Sequence, residues 1–427
     1  MSKSPVGSGS AVETGSALGA TRSLEAMLAV RTDANATFFE REAQRLALLC
    51  HRMAERFARG GRLVALGRSP AARSDARHVA VEFVHPVIVG KRALPALALT
   101  ADGGELAAQV RLLARPDDVV IAFGADEDGG EARRAVALAR AGGCETVAFA
   151  PAGAEWEFEP PVGDRHVRQE LVETLYHVLW ELVHVFFEHR GLLEGREPRR
   201  GHDAGASSFL YPFLAEREDN LEQVLDDVRR SALMKAHEIG ALRAQTLTDN
   251  AATLTAAAGA LRGAFACGGV LLALGNGGSA TDAMDAVADF RAGGSGAVLD
   301  SRAGESGAGG AFVARPAIDL TEDTGIVTAI ANDIGVEAIF ARQVIAYGRS
   351  GDALLALSTS GNSANVIAAL AEGRRRGLLT IAMVGYDGGA VAAQQLADHV
   401  VVTRSEHIPR IQEAQASAYH VLRELVG

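Results

Sequence analysis

The segment LLALGNGGSATDAMDAVADF, residues 271–290, decides the fold of the second half of the chain. It opens with four apolar residues, as a buried strand does, and closes with apolar residues at helical spacing. The loop between them is Asn276, Gly277, Gly278 and Ser279. Glycines let a backbone approach a ligand closely, and a helix N-terminus favours an anion. The segment predicts a strand, an anion-binding loop and a helix. A tight turn capped by Ser279 would give the same sequence pattern.

A second segment of the same kind, LLALSTSGNSANVIAAL, occupies residues 354–370. Its loop places the hydroxyl groups of Ser358, Thr359, Ser360 and Ser363 around Gly361. Hydroxyls and amides clustered without a lysine suit a phosphate monoester that is held by neutral donors. Open α/β folds bind their ligands at the strand ends of the sheet, so the two loops together indicate one phosphate site.

The order of elements around these loops also occurs near the start of the chain. Gly60-Gly61 and the strand pattern RLVALG precede a helical segment there, as Gly268-Gly269 and VLLALG do later. At the far end of each copy YHVLWELV, with His177, matches YHVLRELV, with His420. The order is preserved and the spacing only grows, as insertions in the second copy would require. Two α/β units are therefore predicted, each with a parallel sheet covered by helices on both faces.

Length and composition limit the class of protein. A chain of 427 residues, 48% hydrophobic and 22% charged, predicts two or three globular domains. It has no apolar run of the roughly 18 residues that a membrane span requires. A net charge of −11 argues against a broad nucleic-acid surface, and three distant cysteines without an apolar leader favour the cytoplasm. The predicted divisions are a disordered tail at 1–22, a degenerate first unit at 23–190, a linker at 191–208 and a second unit at 209–427.

The second half resembles the sugar isomerase (SIS) family, and within it the phosphoheptose isomerases. Four segments carry the resemblance, in the order GNGGSATDAMDAVADF, IANDIGVEAIFARQV, GDALLALSTSGNSANVIAAL and RIQEAQASAYHVL. It implies two doubly wound SIS units of flavodoxin-like or Rossmann-like type in tandem, related by a pseudo-two-fold axis. It implies an aldose–ketose isomerase that converts sedoheptulose 7-phosphate to D-glycero-D-manno-heptose 7-phosphate through an enediolate. The implied sugar-phosphate ligands are Asn276, Gly277, Gly278, Ser279, Asn332, Asp333, Ser358, Thr359, Ser360, Ser363 and Gln412.

The resemblance also implies a metal site, from which the second half departs. In the family a His, and a Glu four residues later, join a Gln and a His of the last helix around a zinc ion. Gln412 and His420 are present here, but Asp285 and Asp289 stand where the family has His and Glu. Two aspartates at this spacing could still hold a divalent ion, although oxygen ligands favour harder cations than zinc.

The first half has the complementary pattern. Its segment DARHVAVEF supplies His78 and Glu82, and its last helix supplies Gln169 and His177, at the positions of the family's four ligands. Its loops GRSPAARSD and FGADEDGG lack the hydroxyls, and their acids would repel a phosphate dianion. All eight residues of the two halves are thus candidate ligands of a divalent metal, with zinc implied by the resemblance.

This division suggests that one site combines the phosphate loops of the second half with polar groups from both halves. In such a site His420 would serve as the acid, with its counterpart His177 as a further catalytic candidate, and Glu82 or Asp289 would be the base. The alternative is that the first half is a structural remnant, in which His78 and Glu82 form an ordinary i,i+4 pair.

A rival function is a non-catalytic SIS protein that senses a sugar phosphate or bridges partners, as the DnaA initiator-associating proteins of the family do. The aspartates Asp285 and Asp289 favour it, while Gln412 and His420 favour an enzyme. The partners expected are a sugar phosphate and a second copy of the chain, giving a dimer of tandem chains, with no membrane and no nucleic acid.

Overall fold

Two five-stranded parallel sheets organise the chain. A computed structural model describes residues 10–88, 91–100, 104–125, 127, 129–189, 192–193, 220–293 and 312–427, with side chains from residue 24 onward. The predicted tail thus lies outside the described residues up to residue 9, and from Ser10 the chain is helical. The predicted linker lies outside them except for residues 192–193. No helix in these described ranges is both long and apolar enough to cross a bilayer.

The first unit alternates strands and helices after one long helix. Its elements are α1 (Ser10–Ala58), β1 (Leu63–Leu66), α2 (Pro70–Val84), β2 (Ala96–Leu99), α3 (Leu106–Leu113), β3 (Val119–Ala122), α4 (Glu131–Ala141), β4 (Glu145–Ala148), β5 (Trp156–Glu157) and α5 (Arg165–Glu188).

The second unit opens with two helices and then follows the same plan. Its elements are α6 (Leu221–Asp249), α7 (Ala251–Ala266), β6 (Leu271–Leu274), α8 (Gly278–Arg291), β7 (Ala317–Asp319), α9 (Thr324–Asp333), a 3-10 turn (Val336–Ala338), α10 (Ile339–Tyr347), β8 (Ala353–Ser358), α11 (Ala364–Arg376), β9 (Leu379–Gly385), α12 (Gly389–Ala393), β10 (His399–Thr403) and α13 (Ile408–Val426).

The two sheets have the same strand order. It is β2-β1-β3-β4-β5 in the first unit and β7-β6-β8-β9-β10 in the second, and every neighbouring pair is parallel. This is the flavodoxin-like order, in which helices cover both faces and ligands bind where the strand order reverses. The reversal lies between β1 and β3 and between β6 and β8. The predicted doubly wound units are confirmed, and the loops after β6 and β8 meet at the predicted place.

The sequence pattern explains why these segments are central strands. LVAL in β1, VVIA in β3, LLAL in β6 and ALLALS in β8 are apolar except for the terminal Ser358, and every residue in them is buried. A strand covered on both faces has no polar side to expose, so its sequence does not alternate. The carboxyl ends of these strands are therefore rigid supports for the loops that follow.

Two long helices tie the units together. The later part of α1 packs in the core of the first unit, for example through Phe38 and Phe39, whereas Leu24 near its beginning packs in the core of the second. In α6 the direction is reversed, with Val228 in the first core and Leu247 in the second. Each unit is thus completed by a helix that also belongs to the other.

Corresponding helices of the two units pack on each other, α2 against α8 and α5 against α13. At one crossing the Ser74 hydroxyl donates to the carbonyl oxygen of Thr281 over 2.6 Å. These four helices carry all eight of the predicted metal ligands, which consequently lie at the junction of the units.

Candidate functional site

The two loops of the second unit are joined by their side chains. Asn276 of the first loop and Asn365, at the start of α11, exchange two hydrogen bonds of 2.9 Å between their amide groups. Gly277 and Gly361 have φ of +58° and +62°, a conformation that other residues adopt only with strain. The Gly361 N–H donates to the Ser358 hydroxyl over 3.2 Å, which holds the second loop in its turn. Together the loops form one polar rim at the ends of β6 and β8.

The first loop touches a histidine of the other unit. A Cβ atom on Gly278 would lie 1.9 Å from Nε2 of Gln412 and 2.6 Å from Nε2 of His78. Only a glycine therefore fits between the loop and these side chains. His78 comes from α2 of the first unit, so the groups that surround the first loop come from both units.

His78 is the centre of a compact group at this junction. Its Nε2 lies 3.4 Å from Nε2 of His177, 3.4 Å from Nε2 of Gln412 and 3.9 Å from Oε1 of Glu82. Its Nδ1 lies 3.4 Å from Oδ1 of Asp282, which directs the other ring nitrogen toward the group. Three of the family's four ligand positions are thus filled from the first unit, and the glutamine comes from the second. We call His78, Glu82, His177 and Gln412 the composite cluster.

The composite cluster fits a divalent cation. Oε2 of Glu82 and Oε1 of Gln412 are buried and have no hydrogen-bond partner among the described residues. A buried polar atom without a partner is costly, and a bound ion would provide one for each of them. Rotating the Gln412 amide by half a turn would exchange its Oε1 and Nε2, so that the oxygen faced His78. Two imidazoles with a carboxylate and an amide oxygen are a donor set that suits zinc.

Burial sets the protonation of the cluster. It lowers the pKa of His78 well below its usual value, and the neighbouring His177 lowers it further, so His78 is neutral and can act as a ligand. Burial also raises the pKa of Glu82 to about 7, against a partial lowering by His177. A carboxyl group with such a pKa can both accept and return a proton at neutral pH.

His177 is oriented by a carboxylate of the second unit. Its Nδ1 donates to Oε1 of Glu413 over 2.9 Å, so that Nε2 is left to face His78. Burial alone would raise the pKa of Glu413, but the charge of Arg410 and the bond from His177 lower it. Arg410 donates to Glu413 over 2.8 Å, and Thr174 donates over 3.1 Å. A carboxylate behind a metal-binding histidine fixes the ring and its tautomer.

Three of the four remaining predicted ligands form a second cluster, the mirror cluster of Asp285, Asp289 and His420. Nε2 of His420 lies 3.2 Å from Oδ2 of Asp285 and 3.4 Å from Oδ2 of Asp289. Its Nδ1 lies 3.0 Å from Oε1 of Glu170. Both ring nitrogens face carboxylates, which only accept, so the imidazole is held as a doubly protonated cation.

The charges of the mirror cluster balance internally. Burial alone would lower the pKa of His420, but its bonds to Asp285 and Glu170 raise it to about 10. Burial would likewise raise the pKa of Asp289, yet His166 and Arg165 bring it to about 2. Arg165 donates to Asp289 over 2.9 Å. The carboxylates of this cluster are thus surrounded by cationic side chains of the chain itself, namely His420, His166 and Arg165.

Other predicted residues lie elsewhere. Gln169 is half-buried and hydrogen-bonds to Asp75. Asn332 and Asp333 are exposed at the end of α9, where Asn332 donates to Asp333 over 2.7 Å. None of the residues of α9 is buried, and the adjoining Ile334 is 57% exposed. The homo-oligomer that would cover this surface stays a prediction.

The loops of the first unit contact their own side chains. Arg68, in the loop after β1, donates to Glu131 at the start of α4. The other Glu131 oxygen accepts from the N–H of Leu106 over 2.7 Å. A carboxylate thus takes the Leu106 N–H and the Arg68 guanidinium, two groups that could otherwise attract an anion. The loss of phosphate binding in this unit stays a prediction.

Sequence reasoning missed two residues of the junction, Glu173 and Glu413. Glu173 lies one helical turn before His177, and Glu413 directly follows Gln412. The i,i+4 spacing of Glu173 and His177 predicts that the two side chains lie on one face of the helix, so Glu173 could have been found from the sequence. Glu413 had no such signal, because its partner His177 lies in the other unit.

Comparison with known proteins gives a family. The SIS domain model matches residues 236–385. A phosphoheptose isomerase of Chlorobium phaeobacteroides is 40% identical over 214 residues, which make up 50% of this chain and 85% of the relative. The phosphoheptose isomerase of Chlorobaculum tepidum is 42% identical over 174 residues, 40% of this chain and 77% of the relative.

Solved structures match the chain across both units. The C-terminal domain of glucosamine-fructose-6-phosphate aminotransferase from Francisella tularensis has a TM-score of 0.55 at 9% identity, covering 94% of this chain and 93% of that one. The tagatose-6-phosphate ketose/aldose isomerase of Escherichia coli has a TM-score of 0.53 at 12% identity, with the same coverage. At these identities the likeness shows the fold, which is a tandem pair of SIS-type units.

Proposed function

The chain belongs to the SIS domain family, and on that premise we propose that it isomerises a sugar phosphate at one active site built from both units. The observation that carries the proposal is the contact of His78 and Gln412 with Gly278. It brings the composite cluster directly against the loop that is suited to an anion. A phosphate holder and a set of proton-transfer groups therefore lie side by side.

The phosphate would bind at the rim of the second unit. Thr359, Ser360 and Ser363 are only partly buried and so can offer hydroxyls to a ligand, while the N-terminus of α11 lies directly behind them. The ligand charge would be met by neutral donors and a helix end. Binding energy from this remote group positions the reacting carbons, which is how a phosphate contributes to turnover.

Glu82 is proposed as the base. An aldose–ketose isomerase removes a proton from one carbon and returns it to the neighbouring carbon, so its base must be free and readily reprotonated. Oε2 of Glu82 has no hydrogen-bond partner among the described residues, and burial brings its pKa to about 7. Asp289 is a poorer candidate, because Arg165 and His166 hold it as a weakly basic carboxylate.

His177 is proposed, in place of His420, as the last-helix histidine that holds the metal beside the substrate oxygen. His420 donates both its protons to buried carboxylates, which leaves it no free nitrogen for a substrate. His177 keeps Nε2 toward the cluster, where His78, Gln412 and Glu82 complete the ligand set for a divalent metal, proposed to be zinc. When bound, such an ion would polarise the carbonyl of the sugar.

Sedoheptulose 7-phosphate is the proposed substrate, with D-glycero-D-manno-heptose 7-phosphate as the product. The proposal is supported by the names of the relatives that match the second unit. A coupled assay on the full chain, with zinc added, tests it. Turnover of the heptose ester that is lost in Glu82→Gln is the expected result, and lack of turnover in the metal-loaded wild type would count against it.

A sensor without catalysis remains the second candidate. The observation in its favour is the mirror cluster, which has the position of a family metal site but neutralises its charge internally. A sensor would bind the sugar phosphate at the same loops without converting it. Binding measured by calorimetry, alongside absence of turnover, would select this candidate.

A further inference from the structure

Three groups of His, Asp and Glu side chains among the described residues could hold an ion together. Two of them are the mirror cluster and the partly exposed group of Asp164, His166 and Glu424. Side chains of both groups already form ion pairs, such as Arg165 with Asp289 and His166 with Glu424. The third consists of His78, Glu173 and His177, whose ligand atoms all lie within 4.8 Å of one another. All three of its residues are buried. Glu173 belongs to neither the predicted ligand set nor the family pattern.

The position of Glu173 follows from helix geometry. It precedes His177 by four residues on α5, so the two side chains lie on the same face, one turn apart. Glu173 is 3% exposed, and its Oε1 has no hydrogen-bond partner among the described residues. A buried carboxylate oxygen that has no hydrogen-bond partner is costly. Beside two imidazoles, a bound cation would provide that partner.

The two units differ at this position. The residue four places before His420 is Ala416, so the mirror cluster has no counterpart to Glu173. The mirror cluster has instead two aspartates on α8, which are paired with His420 and Arg165. The extra carboxylate thus occurs only where two histidines meet.

Glu173 and Glu82 differ in how many imidazoles they approach. The Glu173 oxygen lies within 4.8 Å of ligand atoms of both His78 and His177, whereas the Glu82 oxygen lies 3.9 Å from Nε2 of His78 but forms no such group with both rings among the described residues. Two imidazoles and one carboxylate, with a further position left open, are a ligand set that catalytic zinc sites use. A second carboxylate at the margin of such a site is available for proton transfer.

We propose that Glu173, beside His78 and His177, takes the place of Glu82 as the carboxylate ligand of the metal site, and that Glu82 is thereby free to act as the base. The inference rests on the proposed function for the role of Glu82. It assigns the two carboxylates separate tasks, where the family pattern gives one glutamate both. A single site per chain follows, since the side chains of the mirror cluster are already paired with one another and with Arg165.

Zinc affinity of the full chain, measured without substrate, tests the assignment. Metal-free protein is titrated with Zn²⁺ against a chromophoric chelator, for the wild type, Glu173→Gln and Glu82→Gln. The wild type is expected to bind one ion per chain. Glu173→Gln should weaken binding by about ten-fold or more. Glu82→Gln should lose less than about ten-fold in zinc affinity, below the range for loss of a supporting carboxylate, yet lose turnover.

Two controls keep the outcomes distinct. Glu173→Asp retains the carboxylate and should recover part of the affinity, and circular dichroism shows whether each variant is folded. Wild-type zinc affinity in Glu173→Gln, or loss of zinc in Glu82→Gln, would overturn the assignment. Sugar-phosphate binding by the metal-free protein is measured separately, so a failure of the metal site would not be confused with a failure of the phosphate site.

Discussion

Glu413 of the second unit accepts a hydrogen bond from Nδ1 of His177 in the first unit, over 2.9 Å. The pseudo-two-fold relation repeats this bond in reverse, with Glu170 of the first unit 3.0 Å from Nδ1 of His420 in the second. Each unit thus orients the last-helix histidine of the other. The outcomes differ because the far nitrogen of His177 faces another histidine, and that of His420 faces carboxylates.

Glu413→Gln should weaken metal binding while the fold persists. The amide keeps the size of the side chain but removes the charge that holds His177 in one tautomer. Loss of such a supporting carboxylate lowers metal affinity by about 10- to 100-fold. Zinc competition measures the effect, and turnover should fall in parallel at subsaturating zinc.

The control for that experiment is Glu222→Gln, which removes an exposed carboxylate in the first turn of α6. It should leave zinc affinity unchanged. Equal affinities of the Glu413 and Glu222 variants would show that Glu413 does not position the ligand.

Ser360→Ala should weaken binding of the sugar phosphate. The Ser360 hydroxyl is half-buried in the loop after β8, and it accepts from the N–H of Asn362 over 3.1 Å. Because a hydrogen bond to a charged group contributes about 1.5–3 kcal/mol, KM should rise by about ten-fold or more. Steady-state kinetics and calorimetry would measure it.

Ser350→Ala serves as its matched control, since Ser350 is exposed just before β8, at the opposite end of the strand. Its KM should equal that of the wild type. An unchanged KM in Ser360→Ala would place the phosphate elsewhere.

The mirror cluster should stabilise the fold in a way that depends on pH. The pKa of His420 is about 10 in the folded chain, against about 6.5 for a free imidazole. A pKa raised by folding gives stability that is complete below pH 6.5 or so and is lost as the pH rises toward 10. The free energy of unfolding lost in His420→Gln should therefore be largest near pH 6 and shrink toward pH 10.

Urea denaturation of the wild type and the variant at a series of pH values measures this difference. Taking the difference between the two proteins removes the titration of groups they share. A difference that stays flat from pH 6 to pH 10 would mean that His420 is neutral in the folded protein.

The sequence alone determined the fold and the position of the two glycine-containing loops that are proposed to hold the phosphate. Apolar runs such as VVIA and ALLAL can be recognised in the sequence because a strand buried on both faces has no polar side, and these runs alternate with amphipathic helices. The turns at Gly277 and Gly361 can also be recognised locally, because each needs a positive φ that favours glycine. Eight candidate ligands were also named from two repeated patterns.

Only the tertiary structure decided how those ligands divide. Gln412 joins His78, from which 334 residues separate it in sequence, while His420 joins Asp285 and Glu170. The division arises where α2 packs on α8 and α5 packs on α13, and no local pattern encodes the rotation of one helix against another. The same packing buries Glu173 beside two imidazoles and Glu413 behind one of them. Contacts between distant helix faces depend on how the whole core fills its space, and that is a property of the folded chain.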